Sequence, residues 1–198
     1  MSHATRIEAL RERVFGAILD REGGFVDHPA DRGGPTRWGI TRAVARAHGF
    51  NGPMRALPRA FALDIYRALY WDPLRLDAVA AMAPTVAAEL ADTAVNMGPG
   101  TAARFLQIAL NAFNGGTAPD LATDGIVGPR TLDALAAHLD ARGAGRRCEA
   151  IAVLLAALNT QQGARYLDLV ARDPAQKAFA FGWFAHRVAR PAVSPTPD

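Results

Sequence analysis

One short stretch of the chain, residues 22–41, combines carboxyl and hydroxyl side chains with an unusual density of glycine. Glu22 begins it, Asp31 follows nine residues later, and Thr36 comes five residues after that. A carboxylic acid can protonate a leaving oxygen, and a carboxylate and a hydroxyl that fold back over it can hold a water molecule. The stretch therefore predicts an acid with a water-holding partner.

Glu22 is the strongest catalytic candidate because the helical pattern before it ends there, and Gly23-Gly24 would turn the chain away. A carboxyl group at that position can be half desolvated, which raises its pKa and keeps it protonated. The alternative is a solvated glutamate that ends a helix, although a helix C-terminus disfavours negative charge. Asp31 likewise has a second interpretation, as a turn residue that bonds its own backbone.

The composition favours a mainly α-helical domain. The 198 residues are half apolar, so the chain can bury a substantial core. Cys148 is the only cysteine, which excludes an internal disulfide and a cysteine-built zinc site. The formal net charge is +3, and almost all of the positive charges are arginines. Such an excess suits an anionic polymer such as cell wall or nucleic acid, but arginine also accompanies alanine-rich compositions.

Apolar periodicity predicts helices over most of the chain. They cover residues 5–21, 41–48, 58–71, 84–97, 101–113, 129–139, 146–171 and 174–188. Thr41 is predicted to cap the second of these helices. Residues 24–41 would form a short hairpin or irregular loop with Gly33-Gly34 at the turn, and residues 74–83 a connection. In the long helix, the buried stripe is predicted to be Ile151, Leu155, Leu158, Tyr166 and Leu169. The tail from Arg190 is expected to be disordered.

Several other side chains could contact a sugar. Trp38, Tyr70 and Trp71 could stack on sugar rings, but aromatic residues at helical spacing also form cores. Asn96, at a helix end, could reach an N-acetyl group or could cap the helix. The five histidines have no metal-like spacing.

The motif E-G-G-F-V-D-H-P-A-D-R-G-G-P-T-R-W-G-I-T, residues 22–41, resembles the signature of glycoside hydrolase family 108, a family of bacterial and phage N-acetylmuramidases. Further segments resemble the family at residues 66–77, 94–98, 124–131 and 179–184. The last two belong to a C-terminal portion described as a predicted peptidoglycan-binding domain. The resemblance implies that Glu22 is the catalytic acid. His28 stands where an acidic residue is expected.

The order Glu, Asp, Thr is similar to that of phage-type lysozymes. That similarity implies that Asp31 orients or deprotonates the water, or stabilises the charge of the transition state, and that Thr36 holds the water. Asp27 is the other candidate for the second carboxylate. Trp38, Tyr70 and Asn96 would bind substrate.

We therefore expect a mainly α, lysozyme-like helical globule with a catalytic region at 1–95, a helical peptidoglycan-binding region at 96–190 packed on it, and a disordered tail at 191–198. The substrate would be the β-1,4 bond between N-acetylmuramic acid and N-acetylglucosamine in peptidoglycan strands. No cofactor, metal, nucleic acid or membrane segment is implied, and we expect a monomer. Since residues 1–20 lack an export signal, the protein would be made in the cytoplasm and reach the wall after release. The rivals are a lytic transglycosylase and a non-catalytic wall-binding or lysis-accessory protein.

Overall fold

The computed structural model describes residues 2–22, 24–26, 34–141 and 143–189; the side chains of residues 21, 22 and 144 are not part of that description. The chain divides into two units, Met1–Asp72 and Pro73–Asp198. Helices account for 76% of the structure, with nine α-helices and one small sheet among the described residues, which confirms the mainly α prediction. No described helix is both long and apolar enough to cross a membrane. The tail from residue 190 lies outside the description.

In the first unit, a small sheet follows the first helix and precedes the second along the chain. Its elements are α1 (His3–Glu22), β1 (Phe25–Val26), β2 (Thr36–Arg37), β3 (Ile40–Thr41), α2 (Arg42–Ala47), a 3-10 turn (Met54–Ala56), α3 (Arg59–Tyr66) and a π-helical turn (Arg67–Trp71). The strands are antiparallel in the order β1-β2-β3. Thr41 caps α2 as the sequence predicts, because its hydroxyl accepts a hydrogen bond from Val44 N at 3.3 Å.

An aromatic cluster forms the core of this unit. Phe15 of α1 is fully buried, with its ring centroid 5.6 Å from that of Tyr66 and 5.9 Å from that of Trp71. Offset and edge-on contacts of this kind add to the gain from burying large apolar rings. The cluster therefore fixes α1 against α3 and the π-helical turn, and so determines where the last residue of α1 lies.

The second unit consists of helices around one buried helix. Its elements are α4 (Leu76–Met82), α5 (Pro84–Met97), α6 (Pro99–Phe113), α7 (Pro129–Asp140), α8 (Arg147–Arg172), α9 (Lys177–Trp183) and a π-helical turn (Phe184–Val188). Two sequence predictions are wrong here. Residues 74–83 include helix α4 instead of forming only a connection, and α6 begins at Pro99, so Gly98, at φ 85°, is the single residue between α5 and α6.

Helix α5 is the buried centre of the second unit. It packs against α4, α6 and α8, and eight of its fourteen residues are buried. Two polar contacts join it to later parts of the chain. The Thr93 hydroxyl accepts a bond from Gln162 Nε2 at 2.9 Å, and the two carboxylate oxygens of Asp92 accept from Arg187 Nη1, at 3.0 and 2.9 Å.

The buried face of α8 differs from the predicted stripe. The buried residues are Ala150, Leu154, Leu158, Gln162, Gly163 and Tyr166, whereas Ile151, Leu155 and Leu169 are only half-buried. The face is thus rotated by about one residue, because small side chains at 150 and 163 allow closer packing than the larger apolar residues beside them. Gly163, for example, faces the ring of Phe184, whose nearest atom would be 3.4 Å from an added Cβ.

Two tyrosines with opposite hydrogen-bonding situations lie in the two cores. The Tyr66 hydroxyl donates to Trp38 O at 3.2 Å. The Tyr166 hydroxyl is buried with no hydrogen-bond partner among the described residues. Burial raises the pKa of Tyr166 to about 12, with Asp92 and Glu89 adding to the rise and Arg187 opposing it.

Replacing each tyrosine by phenylalanine should therefore have opposite effects on stability. We expect Tyr166→Phe to raise the free energy of unfolding by about 1 kcal/mol at neutral pH, because it removes an unsatisfied buried hydroxyl, and Tyr66→Phe to lower it by about 1 kcal/mol. Above pH 10 the gain from Tyr166→Phe should grow, since a tyrosine with a raised folded pKa loses stability as pH rises from about 10 towards 12 and phenylalanine does not. Urea unfolding at neutral and alkaline pH measures both effects; a loss of stability in Tyr166→Phe at neutral pH would contradict the argument.

Candidate active site

A tight hairpin lies at the centre of the predicted catalytic stretch. Strands β2 and β3 are joined by Trp38 and Gly39, which both have positive φ, 55° and 71°. Two consecutive residues of this kind are typical of the type I′ turn that matches the twist of a hairpin. The glycine pattern of the sequence predicts the turn at Gly33-Gly34 instead. Gly34, at φ 69°, does lie between β1 and β2, and Gly33 is outside the described residues.

Trp38 is held in this uncommon conformation by two distant contacts. Its indole Nε1 donates to Leu57 O at 3.2 Å, and its own carbonyl accepts the hydroxyl of Tyr66 at 3.2 Å. The guanidinium carbon of Arg37 lies 5.3 Å from the centroid of its ring. A left-handed backbone conformation costs a bulky residue about 1–2 kcal/mol. The two hydrogen bonds therefore offset that cost and keep Trp38 in the turn. The side chain remains half-buried, and its stacking on a sugar stays a prediction.

Thr36 occupies the middle strand of the sheet. It is paired with Val26 of β1 on one side and with Thr41 of β3 on the other. Its Oγ1 donates to Gly34 O at 3.2 Å. Since a hydroxyl has one hydrogen and two lone pairs, Oγ1 retains acceptor capacity. The half-buried side chain is thus held in place but can still accept a hydrogen bond.

Glu22 is the last residue of α1, where the sequence pattern predicts that the helix ends. Its side chain is outside the described part of the structure, and so are all atoms of Asp27, His28 and Asp31. The structure therefore places the backbone of the predicted acid three residues before β1, and places Thr36 on β2. The roles assigned to Glu22, Asp31 and Thr36 stay predictions.

Tyr70 and Trp71, the two aromatic candidates after α3, differ in exposure. Trp71 is 1% exposed and belongs to the core. Tyr70 is half-buried, with its ring centroid 5.4 Å from that of Tyr66, and burial raises its pKa. Tyr70 thus retains accessible surface and Trp71 does not, so of the two only Tyr70 remains a candidate for contact with substrate.

Asn96 lies in the second unit, near the end of α5, and is exposed. Its side-chain amide donates to Asp92 O at 2.7 Å and to Asp92 Oδ2 at 3.3 Å. This is a local bond within the last turns of the helix, of the kind that the capping alternative implies. Its contact with an N-acetyl group remains a prediction.

The D-G-I-V-G-P-R-T segment, residues 124–131, is organised around one buried glutamine. Gln107 of α6 is 1% exposed. Its Nε2 donates to Asp124 Oδ1 at 2.7 Å and to Ile126 O at 3.0 Å, and its Oε1 accepts from Gly125 N at 3.0 Å. The bond from Gln107, followed by that from Ile126 N, lowers the pKa of the Asp124 carboxyl. The hydrogen bonds with Gln107 thus give this signature a structural role in holding the loop on α6.

Asn111 of α6 and Asn114, directly after α6, hold the earlier part of this loop. Asn111 Nδ2 donates to Leu121 O at 2.9 Å, and Asn111 Oδ1 accepts from Leu121 N at 2.8 Å. Asn114 Nδ2 donates to Asp120 Oδ1 at 2.8 Å. Gln107, Asn111 and Asn114 are not among the residues singled out from the sequence, although their spacing of four and three residues places them on one side of a helix. That polar stripe, directly before a glycine-rich loop, was the available signal.

Two family profiles match the chain, over two consecutive regions. The profile described as "Glycosyl hydrolase 108" matches residues 15–98, and the one described as "Predicted Peptidoglycan domain" matches residues 101–188. Residues 15–98 therefore belong to the glycosyl hydrolase 108 family. Its fold is similar to that of Brucella abortus SagA, with 27% identity, a TM-score of 0.61, and coverage of 93% of this chain and 92% of that one. No curated protein sequence matches the chain significantly.

As a glycosyl hydrolase 108 protein with an appended peptidoglycan domain, the chain is a glycoside hydrolase that acts on peptidoglycan. The boundary between the two matched regions falls at Gly98–Gly100, which is later than the boundary between the two compact units at 72/73. Helices α4 and α5 are therefore matched by the hydrolase profile, although they belong to the second unit.

Gly125 should be the least replaceable residue of the loop on α6. Its φ is 80°, and an added Cβ would lie 2.8 Å from Gly100 O, a backbone atom that cannot easily move. We expect Gly125→Ala to lower the free energy of unfolding by roughly 2–3 kcal/mol. The matched control is Gly182→Ala, because Gly182 lies within α9 with open space around it, and alanine there should be neutral or stabilising by up to about 1 kcal/mol. Equal effects of the two changes in chemical denaturation would contradict this account of the loop.

Proposed function

We propose that the protein is an N-acetylmuramidase that hydrolyses the β-1,4 bond between N-acetylmuramic acid and N-acetylglucosamine, with Glu22 as general acid. The observation that carries the proposal is the position of Glu22. It ends α1, is followed within three residues by the sheet that bears Thr36, and lies within the region matched by the hydrolase profile.

The end of α1 suits a carboxyl group that must carry a proton. The backbone carbonyl groups at a helix C-terminus carry partial negative charge, which disfavours a carboxylate and favours the neutral acid. A neutral glutamic acid can give its proton to the glycosidic oxygen as the bond to the sugar carbon breaks. The free hydroxyl of the departing sugar then keeps that proton.

Thr36 supports the second half of the reaction, in which water attacks the sugar carbon. Because its hydroxyl hydrogen is donated to Gly34 O, Oγ1 would accept a hydrogen bond from the water. A lone pair of the water oxygen then remains free to form the new bond. Asp31 would accept the water's other proton as the bond forms, which restores a neutral hydroxyl on the sugar. Water that attacks from the face opposite the leaving group would invert the anomeric carbon.

An enzyme with this reaction works wherever peptidoglycan is exposed to it. We propose that the protein acts on the wall after release from the cytoplasm and is bacteriolytic in the manner of an endolysin. The region of residues 101–188 supports this proposal, because a unit that holds the wall raises the local concentration of glycan at the hydrolase region.

Replacing Glu22 by glutamine should remove the transferable proton while preserving the size of the side chain. We expect Glu22→Gln to reduce the clearing of purified peptidoglycan by at least about a hundredfold, as is typical for the loss of a general acid. Glu12→Gln is the matched control, since Glu12 is exposed on the same helix, and it should clear at the wild-type rate.

The reaction products complete this test. A new reducing end on each glycan fragment supports hydrolysis, whereas 1,6-anhydro ends would identify a lytic transglycosylase and remove Asp31 and Thr36 from the mechanism. Equal clearing by wild type and Glu22→Gln would end the assignment of Glu22. Binding of the wall without clearing by either protein would identify a non-catalytic binder.

Thr36 offers a separate test of how the water is held. Thr36→Val keeps the shape but removes the acceptor oxygen, so we expect kcat to fall by about tenfold or more, with little change in KM. Thr36→Ser retains the hydroxyl and should keep most of the activity. If valine and serine variants have the same kcat, the hydroxyl does not hold the attacking water.

A further inference from the structure

A cavity of about 350 Å³ in the first unit lies beside the sheet that carries Thr36. Its lining includes three arginines, Arg42, Arg46 and Arg55, together with Phe25, Pro35 and Asn51. Phe25 belongs to β1 and Pro35 directly precedes Thr36 on β2. A cavity of this size matches the lower range of small-ligand sites. The proposed reaction uses none of the three arginines.

All charged residues among the described lining of this cavity are positive. No described residue that lines it is acidic. Along the chain, residues 34–63 contain five arginines and neither aspartate nor glutamate. Within this run Arg59 lies 3.6 Å from Asp20, but no ion pair is found for the three cavity arginines within the described part of the chain. Like charges that line one cavity repel each other, so an anion that binds there gains from all three.

The backbone around the cavity is fixed before any ligand binds. Arg42 and Arg46 are four residues apart on α2, so they project from the same side of the helix. The start of α2 is held by the cap from Thr41 and by a bond from Arg42 N to Pro35 O at 3.2 Å. The third arginine, Arg55, has its guanidinium carbon 4.6 Å from the centroid of the Phe25 ring. Such a contact orients the guanidinium and leaves its N–H edge available.

Guanidinium groups bind carboxylates through paired, charge-assisted hydrogen bonds. Apart from its acidic sugar substituent, the glycan backbone of peptidoglycan is neutral, and most of the free carboxylates of the polymer lie on the short peptides attached to it. We propose that the arginine cavity binds a carboxylate of these peptides and thereby makes the enzyme prefer peptide-bearing glycan. This inference rests on the proposed function, since it assumes that peptidoglycan is the polymer cleaved beside the cavity.

A nucleic acid fits the cavity less well. Backbone binding of nucleic acids requires several cations spread along a groove at the spacing of the phosphates. Here three arginines line one cavity of about 350 Å³, and the aromatic ring next to them, Phe25, already has the Arg55 guanidinium over it. The arrangement suits one small anionic group better than a polyanion.

The test compares two substrates and one triple variant. Glycan chains are prepared with their peptides intact and, for comparison, with the free carboxylates of those peptides converted to amides. We expect the wild type to have a lower KM for the chains with free carboxylates, and Arg42→Gln/Arg46→Gln/Arg55→Gln to reduce that preference by about tenfold or more, which corresponds to the loss of one or more charge-assisted hydrogen bonds. The charge-matched control, Arg6→Gln/Arg13→Gln/Arg75→Gln, replaces exposed arginines outside the cavity and outside the region matched by the peptidoglycan profile and should retain the wild-type preference.

A direct titration separates this inference from the proposed reaction. Isothermal titration calorimetry of the full chain with an acidic wall tetrapeptide should show binding that the cavity variant loses and the control variant keeps. The same peptide with all its carboxylates amidated should not bind. No binding of the acidic peptide, equal binding of both peptides, or displacement by an oligonucleotide more readily than by the peptide would overturn the inference. If the wild type cleaves neither glycan, the muramidase proposal fails, and the titration still decides what the cavity binds.

Discussion

The structure of the predicted catalytic stretch depends on the two hydrogen bonds that hold Trp38. A tryptophan at φ 55° would not persist in an isolated hairpin, and here its indole and its carbonyl are both bonded to residues beyond the sheet. This turn then determines the strand register, in which Thr36 is paired with Thr41. Since Thr41 also caps α2, the same constraint positions the catalytic threonine candidate and the helix that carries two arginines of the cavity.

The second unit is stabilised by a different principle, in which polar side chains on buried helices organise the less regular segments. Gln107 holds the loop before α7, and Asp92 pairs with Arg187 near the end of the described chain. Both ion-pair side chains are about 15% exposed, so their bonds are shielded from competing water. The most recognisable motif of the region matched by the peptidoglycan profile thus has a structural role, because it fixes a loop.

Periodicity in the sequence located most helices because each covers several turns with one apolar face. It failed where that pattern was short or ambiguous. Helix α4 has only seven residues, between Pro73 and Pro84, so its short pattern predicts a connection. In α8 the larger residues Ile151 and Leu155 suggested one face, whereas close packing against neighbouring helices selected the smaller Ala150 and Gly163. Helical pattern alone cannot distinguish faces that differ by about one residue.

The sequence by itself determined the helical class, the end of α1 at Glu22, the cap at Thr41 and the family motif, because these depend on residues that are close along the chain. Only the tertiary structure decided that Trp38 is bonded to residues nineteen and twenty-eight positions away, and that arginines from α2 and from the following 3-10 turn line one cavity. The physical reason is that such contacts join groups brought together by folding. A donor and an acceptor that lie far apart along the chain leave no periodic pattern between them.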